Sequence, residues 1–340
     1  MIRALLAGWL IAITGLHLWL NVDWDAFLND YRPRQERKLN VAYIPVTCHL
    51  ACPVTDYVAK HSAAGDLFLP KMFQGFPEVK EALIADRMQA GFLVAPLAIK
   101  LRSQGVPIHI VYLGHRYGSS MVVAKNGPVK SVADLRGRTV AIPSRFSDER
   151  LILGRALRAH GLRDTDVKMV EMAPPDVAGA LAAKAIDGFV MAEPFPSQAE
   201  LGGYGRILFF AKEYWPDYIS CVLVVRDDVI AERPEAVQML VDGIASSGLW
   251  LDESRRNREH AADFVARYYF HQPTKLLRWA LTNPMERVMY SPLSPYRADF
   301  DLIVDLMLEA GLLDKKLAFE EYVDTRFAEE AKDARAWDFR

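Results

Sequence analysis

The chain has 340 residues, of which 51% are hydrophobic and 25% are charged, an ordinary composition for a globular protein. Its 41 Lys and Arg side chains against 43 Asp and Glu give a formal net charge of −2, so the charge does not indicate a nucleic-acid-binding protein. The length suits two α/β domains of roughly 100–200 residues each.

An apolar segment opens the chain. Residues 4–22 carry Thr14 and His17 as their main polar side chains, and a bilayer-spanning helix needs about 20 residues. Because no small-residue cleavage site follows, we expect residues 1–22 to form an uncleaved transmembrane anchor, with a cleaved signal peptide as the alternative. Arg3 precedes this segment and acidic residues follow it, so the positive-inside rule places the rest of the chain outside the cytoplasm.

The next part of the chain alternates strands and helices. Residues 23–39 are charged and contain Pro33, which predicts a linker. Apolar periodicity then predicts strands and helices in turn. The strands are 40–46, 67–73, 90–95, 108–114 and 120–124, and the helices are 53–64, 77–86 and 96–104. This order predicts a helix-covered sheet.

A second α/β unit follows a turn cluster at residues 126–128. Its predicted strands are 139–143, 167–172, 188–192 and 206–210, and its helices run from the N-cap Ser147 to Gly161 and from 175 to 185. A strand at 220–225 comes next. The remaining segments read as helices at 234–251, 257–269, 274–282, 297–310 and 315–328.

These segments predict two lobes. No strand follows the last helices, so we expect them to pack on the first unit and make it discontinuous. Lobe 1 would comprise residues 40–124 and 222–340, and lobe 2 residues 125–221, with the chain crossing between them near 124–126 and 220–224. Two lobes joined by two crossings can close about a hinge.

Four segments of the second unit carry a family resemblance. They are DLRGRTVAIP (134–143), HGL (160–162), DVKMVEMAPPDV (166–177) and AIDGFVMAEPF (185–195). In this order they resemble the type II periplasmic substrate-binding proteins of ABC importers, in the branch that binds nitrate, bicarbonate, sulfonates and thiamine precursors. The resemblance covers most of residues 40–330.

The resemblance implies the α/β class and the two-lobed type II fold, with a helix-flanked mixed sheet in each lobe, here preceded by the transmembrane helix. It implies a non-catalytic, cofactor-free receptor that captures a small molecule between hinged lobes and delivers it to an ABC permease. We accordingly expect a monomer in the periplasm, anchored to the inner membrane by its first segment or secreted if that segment is cleaved.

The candidate ligand-binding residues follow from the fold. In doubly wound sheets, ligands lie beyond the carboxyl ends of the strands, where helix N-termini offer free N–H groups. The residues at those ends are Thr47, His49, Gln74, Pro96, His115 and Arg116 in lobe 1, and Ser144, Arg145, Ser147, Glu193 and Phe195 in lobe 2. No catalytic residue is assigned.

Several candidates have an equally plain structural interpretation. Thr47 and His49 would either contact a ligand or cap a helix and fill a polar corner. Ser144 and Ser147 would bind an anion at a helix N-terminus, or Ser147 would be an ordinary N-cap. Glu193 matches the family's acidic residue at the cleft edge and is expected to be a structural or hinge carboxylate.

The charges leave the identity of the ligand open. Arg116 and Arg145 would supply positive charge to an oxyanion, or would simply be solvated. Asp148 and Glu149 follow Ser147 in the first turn of a helix, where they favour the helix dipole but oppose a bound anion. If they face the cleft, nitrate and bicarbonate are disfavoured, whereas sulfonates, pyrimidines and apolar metabolites remain candidates.

The cysteines allow two interpretations. Cys48 and Cys52 would pair in an oxidising compartment, or they are buried thiols. His49 lies between them, and thiolates with imidazole suit zinc or copper, but no second cluster has the spacing of a metal site. We therefore predict no metal.

Two other functions remain alternatives. One is an enzyme of the thiamine-pyrimidine-synthesis type that shares this fold and would use His49 or a nearby lysine covalently; its cysteine-rich motif is absent here. The other is a carrier or sensor for a lipid or apolar ligand that is not coupled to an ABC importer.

Overall fold

The computed structural model describes residues 2–22, 24–29, 31–62, 65 and 67–339. The residues outside this description, all of which belong to predicted segments, are Met1, Asp23, Asp30, Ala63, Ala64, Asp66 and Arg340. The chain divides into two compact units, residues 1–38 and 39–340.

The first unit contains the helices α1 (Ile2–Asn21) and α2 (Trp24–Asn29). Within the described residues, no helix combines the length and the hydropathy that a membrane crossing requires. The transmembrane helix predicted for residues 1–22 is therefore not found. The predicted linker at 23–39 contains α2, and Leu39 already begins the first strand.

The described strands of the second unit form two mixed sheets. The large sheet has the order β11-β4-β10-β3-β1-β2, with β1 (Leu39–Tyr43), β2 (Phe68–Met72), β3 (Ala90–Val94), β4 (Ile108–Tyr117), β10 (Ile219–Arg226) and β11 (Val288–Met289). The small sheet has the order β7-β6-β8-β5-β9, with β5 (Ser119–Ala124), β6 (Thr139–Ile142), β7 (Lys168–Glu171), β8 (Gly188–Ala192) and β9 (Gly205–Phe210).

Each sheet combines parallel strands with antiparallel ones. In the large sheet β1, β2 and β3 are parallel, and β10 runs antiparallel to both β3 and β4. In the small sheet β6, β7 and β8 are parallel, and β5 runs antiparallel to β8 and β9. Strands β1, β3 and β8 are buried along their whole length, as expected for strands covered by helices on both faces. The predicted mixed sheets are confirmed.

Helices cover both sheets. Those beside the large sheet are α3 (Ala51–Lys60), α4 (Phe76–Ile84) and α5 (Ala95–Ser103). Those in the small-sheet segment are α6 (Asp148–Ala159), α7 (Val177–Ala182), α8 (Phe195–Leu201) and α9 (Ala211–Tyr214). Those after β10 are α10 (Asp227–Glu232), α11 (Pro234–Glu253), α12 (Arg255–Val265), α13 (Thr274–Thr282), α14 (Arg297–Glu309) and α15 (Arg326–Glu330).

The helices after β10 return to the large sheet. The Thr55 hydroxyl on α3 lies 2.8 Å from the Ser247 hydroxyl on α11, and the β-carbon of any side chain at Gly243 would lie 2.5 Å from Thr55 Cγ2. Glycine at this position therefore permits close packing of the two helices. Helix α11 therefore packs on α3, beside the large sheet and within residues 39–340.

The helix predicted for residues 315–328 is wrong. In its place the structure has a 3-10 turn at Phe319–Glu321 and the short helix α15. Between them the backbone pairs with β4, because Ile110 N donates to Tyr322 O at 2.8 Å and Asp324 N donates to Ile110 O at 2.9 Å. These tertiary hydrogen bonds override the local helical pattern.

The chain passes between the sheets at two adjacent points. It leaves β4 for β5 through Gly118 and returns into β10 after Tyr218, and Tyr117 N donates to Tyr218 O at 3.0 Å. Gly118 has φ +82°, and a β-carbon there would lie 2.5 Å from the His115 ring. The first crossing thus precedes β5, whereas the sequence predicted a crossing after this strand, at 124–126. The apolar pattern identifies a buried strand but does not show to which of the two sheets the strand belongs.

Candidate functional site

The ends of strands from both sheets meet at one cleft. Thr47 N, after β1, donates to Glu193 O, after β8, at 2.8 Å. Ala95 N, after β3, donates to Asp148 Oδ2, after β6, at 3.2 Å. These bonds join the loops at the carboxyl ends of the parallel strands, which is where α/β sheets bind ligands.

A cavity of about 260 Å³ lies between helices α4 and α5 and the loop after β6, and Thr47, His49, His115, Asp148 and Glu149 are not among the residues that line it. Its large-sheet wall comes from α4 and α5, and its small-sheet wall from the loop after β6. Its lining includes Phe76, Lys80, Lys100, Ser144, Arg145 and Phe146.

Thr47 and His115 form a buried pair beside this cleft. Thr47 Oγ1 lies 2.9 Å from His115 Nε2, and Tyr290 OH donates to Thr47 O at 2.9 Å. Burial lowers the pKa of His115 to about 3, so its ring is neutral at physiological pH. His115 Nδ1 has no hydrogen-bond partner among the described residues.

His49 is oriented by the main chain and by aromatic rings. Ile44 N donates to His49 Nδ1 at 2.8 Å, and the imidazole stacks on Phe92 with centroids 5.1 Å apart. Burial, followed by the neighbouring His115, lowers the pKa of His49 well below its usual value. Because Nδ1 accepts a hydrogen bond, the neutral ring carries its proton on Nε2, and that N–H has no partner in the described chain.

Asp148 and Glu149 face the interior and not the solvent. Their exposed fractions are 0% and 2%. Glu149 Oε1 accepts a hydrogen bond from Ser119 Oγ at 3.0 Å, and Ser119 Oγ in turn lies 3.2 Å from Tyr218 OH. Burial raises the pKa of Glu149 to about 7. The pKa of Asp148 is raised well above its usual value, mainly by burial and secondly by the neighbouring Glu149 carboxylate.

Both carboxyl groups retain unused hydrogen-bonding capacity. Asp148 Oδ1 and Glu149 Oε2 have no partner among the described residues, and the same is true of Ser120 Oγ and Ser220 Oγ. Unsatisfied buried polar atoms are uncommon in folded proteins, and each costs about 1–3 kcal/mol. A polar ligand hydrogen-bonded to the two carboxyl oxygens would remove that cost.

The arginines at this cleft already face carboxylates. Arg116 is paired with Asp299 at 2.8 Å, and its guanidinium also donates to Asp217 O at 2.8 Å. Arg145 is exposed and is paired with Glu171 at 2.8 Å. Each of these guanidinium groups has a carboxylate counter-charge, so neither supplies a free positive charge to Asp148 and Glu149.

Glu193 takes part in a buried ion pair. Arg287 donates to Glu193 Oε1 and to Ser197 Oγ, each at 2.8 Å, and lies 3.3 Å from Glu200 Oε2. Burial raises the pKa of Glu193, while the Arg287 guanidinium acts in the opposite direction. This arrangement agrees with the expected structural role of the carboxylate.

The remaining predicted residues are dispersed around the cleft. Gln74 is exposed, and its backbone N–H donates to Glu78. Pro96 is buried in the first turn of α5, and Phe195 is buried at the start of α8. Ser144 Oγ accepts a hydrogen bond from Phe146 N at 3.1 Å.

Ser147 is the N-cap of α6, since its Oγ accepts a hydrogen bond from Arg150 N at 3.1 Å. We expect Ser147→Ala to lower the free energy of unfolding by about 1 kcal/mol, the usual contribution of an N-cap. Ser254→Ala, which removes the equivalent cap of α12, is the matched control. Chemical denaturation should give similar losses for both variants, and a loss confined to one of them would contradict a pure capping role for Ser147.

The sequence did not indicate every residue of the cleft. Ser119 and Tyr218 lie at the two chain crossings, and Arg287 and Tyr290 come from the helical region after β10. None of the four belongs to a motif. The doublet Ser119–Ser120 directly after Gly118 is the one local signal, because small polar residues at a strand start are unusual in a buried sheet.

Two of the three thiols lie side by side. All three cysteines are free and buried, which is the second of the two interpretations of Cys48 and Cys52, and Cys48 Sγ lies 2.8 Å from Cys221 Sγ. Ligand atoms of Cys48, His49 and Cys221 lie within 4.8 Å of one another. However, the Nδ1 lone pair of His49 accepts the Ile44 N–H and Nε2 carries the proton, so this ring has no lone pair available for a metal.

The sequence matches the model of the NMT1-like family over residues 32–266, more than half of the chain. The chain belongs to the NMT1-like family. The match includes both sheets up to β10 and most of the cleft residues described above.

One relative by sequence is a putative binding protein of Brucella abortus, which is 29% identical over 220 residues. The alignment covers 62% of this chain and 63% of the relative, so it spans less than two thirds of that protein's length.

Solved structures share the fold. The ligand-binding component of an ABC-type import system from Staphylococcus aureus, with zinc bound, has a TM-score of 0.77 and 22% identity, and the superposition covers 86% of this chain and 98% of the other. The periplasmic nitrate-binding protein of Synechocystis has a TM-score of 0.78 and 16% identity, with 87% and 88% covered. A desulfurization enzyme, DszB, shares the fold with a TM-score of 0.62 and 15% identity over 86% of this chain and 98% of that one.

Proposed function

We propose that this protein is an extracytoplasmic solute-binding protein that captures a small molecule between two hinged lobes and delivers it to an ABC-type transporter. The observation that carries the proposal is a group of buried polar atoms on His49, His115, Asp148 and Glu149, at the junction of the two sheets, that have no partner among the described residues. Family membership and the binding functions of its relatives support the same assignment.

We propose that the two lobes are those built on the two sheets, with β5 in the small-sheet lobe and the crossings at Gly118 and after Tyr218, and that the protein acts as a periplasmic monomer. Closure would bring Ala95 and Asp148 together across the cleft, as in the hydrogen bond described above. Closure also removes water from the polar groups, which strengthens each hydrogen bond to the solute.

The charge of the inner cleft favours one class of solute. Asp148 and Glu149 are buried acceptors, while Arg116 and Arg145 already face other carboxylates. A bound oxyanion would add negative charge at a place where burial already disfavours the ionised form of both carboxyl groups, whereas a cationic or N–H-bearing solute would favour their ionised form and be stabilised by it. Among the candidates from the sequence, this favours an aminopyrimidine-like heterocycle over nitrate, bicarbonate or a sulfonate.

Thermal-shift measurements on the full chain test this proposal with 4-aminopyrimidine, nitrate and methanesulfonate as probes. At 100 times its dissociation constant, a bound probe adds about 2.7 kcal/mol to the free energy of unfolding. We expect this stabilisation with the aminopyrimidine, a smaller one in Asp148→Asn, and an unchanged one in the control Asp263→Asn, whose carboxylate is exposed and paired with Arg278.

The two parts of the proposal fail differently. Stabilisation by nitrate or methanesulfonate, and not by the aminopyrimidine, would overturn the solute class and leave the receptor function standing. The absence of stabilisation by every probe would count against the binding function itself.

A further inference from the structure

We propose that Cys48 and Cys221 form a disulfide bond that ties the turn after β1 to strand β10. The two residues are 173 positions apart in the chain. Cys48 lies in the 3-10 turn Thr47–His49, and Cys221 lies in β10. This inference does not depend on the proposed solute-binding function.

The distance between the sulfur atoms is the first observation. Cys48 Sγ and Cys221 Sγ lie 2.8 Å apart. Carbon atoms in favourable non-bonded contact lie about 3.5–4.0 Å apart, and sulfur is larger than carbon. A disulfide bond is about 2.03–2.05 Å long. The two sulfur atoms are thus closer than separate thiols pack, and a small movement brings them to bonding distance.

The backbone around the pair is the second observation. Gly114 of β4 lies between the two cysteines: a β-carbon there would be 2.3 Å from Cys48 O and 3.3 Å from Cys221 Cβ. A side chain at this position would push the turn away from β10. Glycine therefore permits the close approach of the two backbones that a disulfide requires.

Burial determines when the bond can form. The exposed fractions of Cys48 and Cys221 are 0% and 1%, and burial, together with the neighbouring Cys48, raises the pKa of the Cys221 thiol. A buried thiol that resists ionisation is a poor nucleophile. The bond is therefore made while the chain folds, and in the folded protein it is shielded from reductants.

The chemistry is thiol–disulfide exchange with a disulfide oxidant, either oxidised glutathione or an oxidised protein dithiol. The thiolate of one cysteine attacks the oxidant's disulfide and releases one thiol, which leaves a mixed disulfide. The second cysteine's thiolate attacks the mixed disulfide and releases the other thiol. The two cysteines lose two electrons and two protons, and the oxidant is reduced to two thiols.

Cys52 is an internal control. It lies on α3 and is fully buried, and burial, followed by the Asp56 carboxylate, raises the pKa of its thiol. With Cys48 bonded to Cys221, Cys52 remains the one thiol of the chain. A bond between Cys48 and Cys52 would instead leave Cys221 as the thiol.

The test counts thiols in the full chain folded in a glutathione redox buffer. The protein is denatured in the presence of N-ethylmaleimide, with or without prior reduction, and its mass is measured. We expect one adduct without reduction and three after it. Peptide mapping should place the single adduct on Cys52.

Three variants make the result decisive. Without reduction, Cys52→Ala should carry no adduct, whereas Cys48→Ala and Cys221→Ala should each carry two. Three adducts on the unreduced wild-type chain, or a single adduct on Cys221, would overturn the proposal.

The unfolding temperature gives a second readout that does not depend on alkylation. Protein that has been unfolded, reduced and refolded with a reductant present should unfold several degrees lower than the oxidised protein in the wild type and in Cys52→Ala, because it lacks a cross-link that closes a long loop. The same treatment should not change the unfolding temperature of Cys221→Ala. An equal response of all three proteins would also overturn the proposal.

Discussion

Arg287→Ala should lower the free energy of unfolding by about 3–5 kcal/mol, the usual result of removing one partner from a buried ion pair. The Arg287 and Glu193 side chains are only 6% and 0% exposed and are joined at 2.8 Å. Without the guanidinium, the Glu193 carboxylate would keep its hydrogen bond from Ser197 N but would lose its counter-charge. Urea denaturation at pH 7 measures the change.

The matched control is Arg278→Ala. Arg278 is paired with Asp263 at 2.7 Å, but both side chains are about half exposed, and such surface pairs contribute about 0–1 kcal/mol. Adding Glu193→Gln to Arg287→Ala should recover part of the loss, because the uncompensated charge is then gone. A loss for Arg287→Ala no larger than that of the control would contradict the structural role assigned to this pair.

Glu149→Gln should change how stability depends on pH. Burial raises the pKa of Glu149 in the folded protein to about 7, against a usual value of 4.5. The folded state therefore binds more protons than the unfolded state between these values, so the wild-type protein loses stability as the pH rises from about 4.5 to about 7. The loss attributable to this one group is about 3 kcal/mol.

The measurement compares wild type and variant at pH 4 and pH 8 by chemical denaturation. At each pH the free energy of unfolding of Glu149→Gln is compared with that of the wild type. This difference should favour the variant by about 3 kcal/mol more at pH 8 than at pH 4, because glutamine does not titrate. Glu81→Gln serves as the control, since the Glu81 side chain is 68% exposed, and it should show no such difference. If Glu149→Gln and the wild type differ in the free energy of unfolding by the same amount at both pH values, the Glu149 carboxyl group is not desolvated.

The sequence predicted the regular elements well. The strand patterns of β1, β3 and β8 and the N-cap of α6 come from local periodicity and capping chemistry, and the structure has them within a few residues. The pattern failed where tertiary contacts decide the conformation. The extended pairing of Tyr322–Asp324 with β4 interrupts a segment that reads as helical.

The candidate site was only partly predictable for a similar reason. Thr47, His49 and His115 lie at strand ends, so topology alone pointed to them. Arg287 and Tyr290 reach the cleft from a segment far along the chain, and no local pattern encodes such an approach. The sequence did not show whether Asp148 and Glu149 face the cleft or the solvent, and their burial in the structure shows that they do not face the solvent.

The hydrogen bond from Ile44 N to His49 Nδ1 has a consequence for molecular recognition. It makes His49 Nε2–H a fixed donor, while the Asp148 and Glu149 oxygens that lack partners among the described residues act as acceptors when a bound solute keeps these carboxyls ionised. The interior of the cleft therefore has a polarity. A solute fits it in one orientation, with its lone pair toward the imidazole and its N–H groups toward the carboxyls, and reversing the solute would set donor against donor.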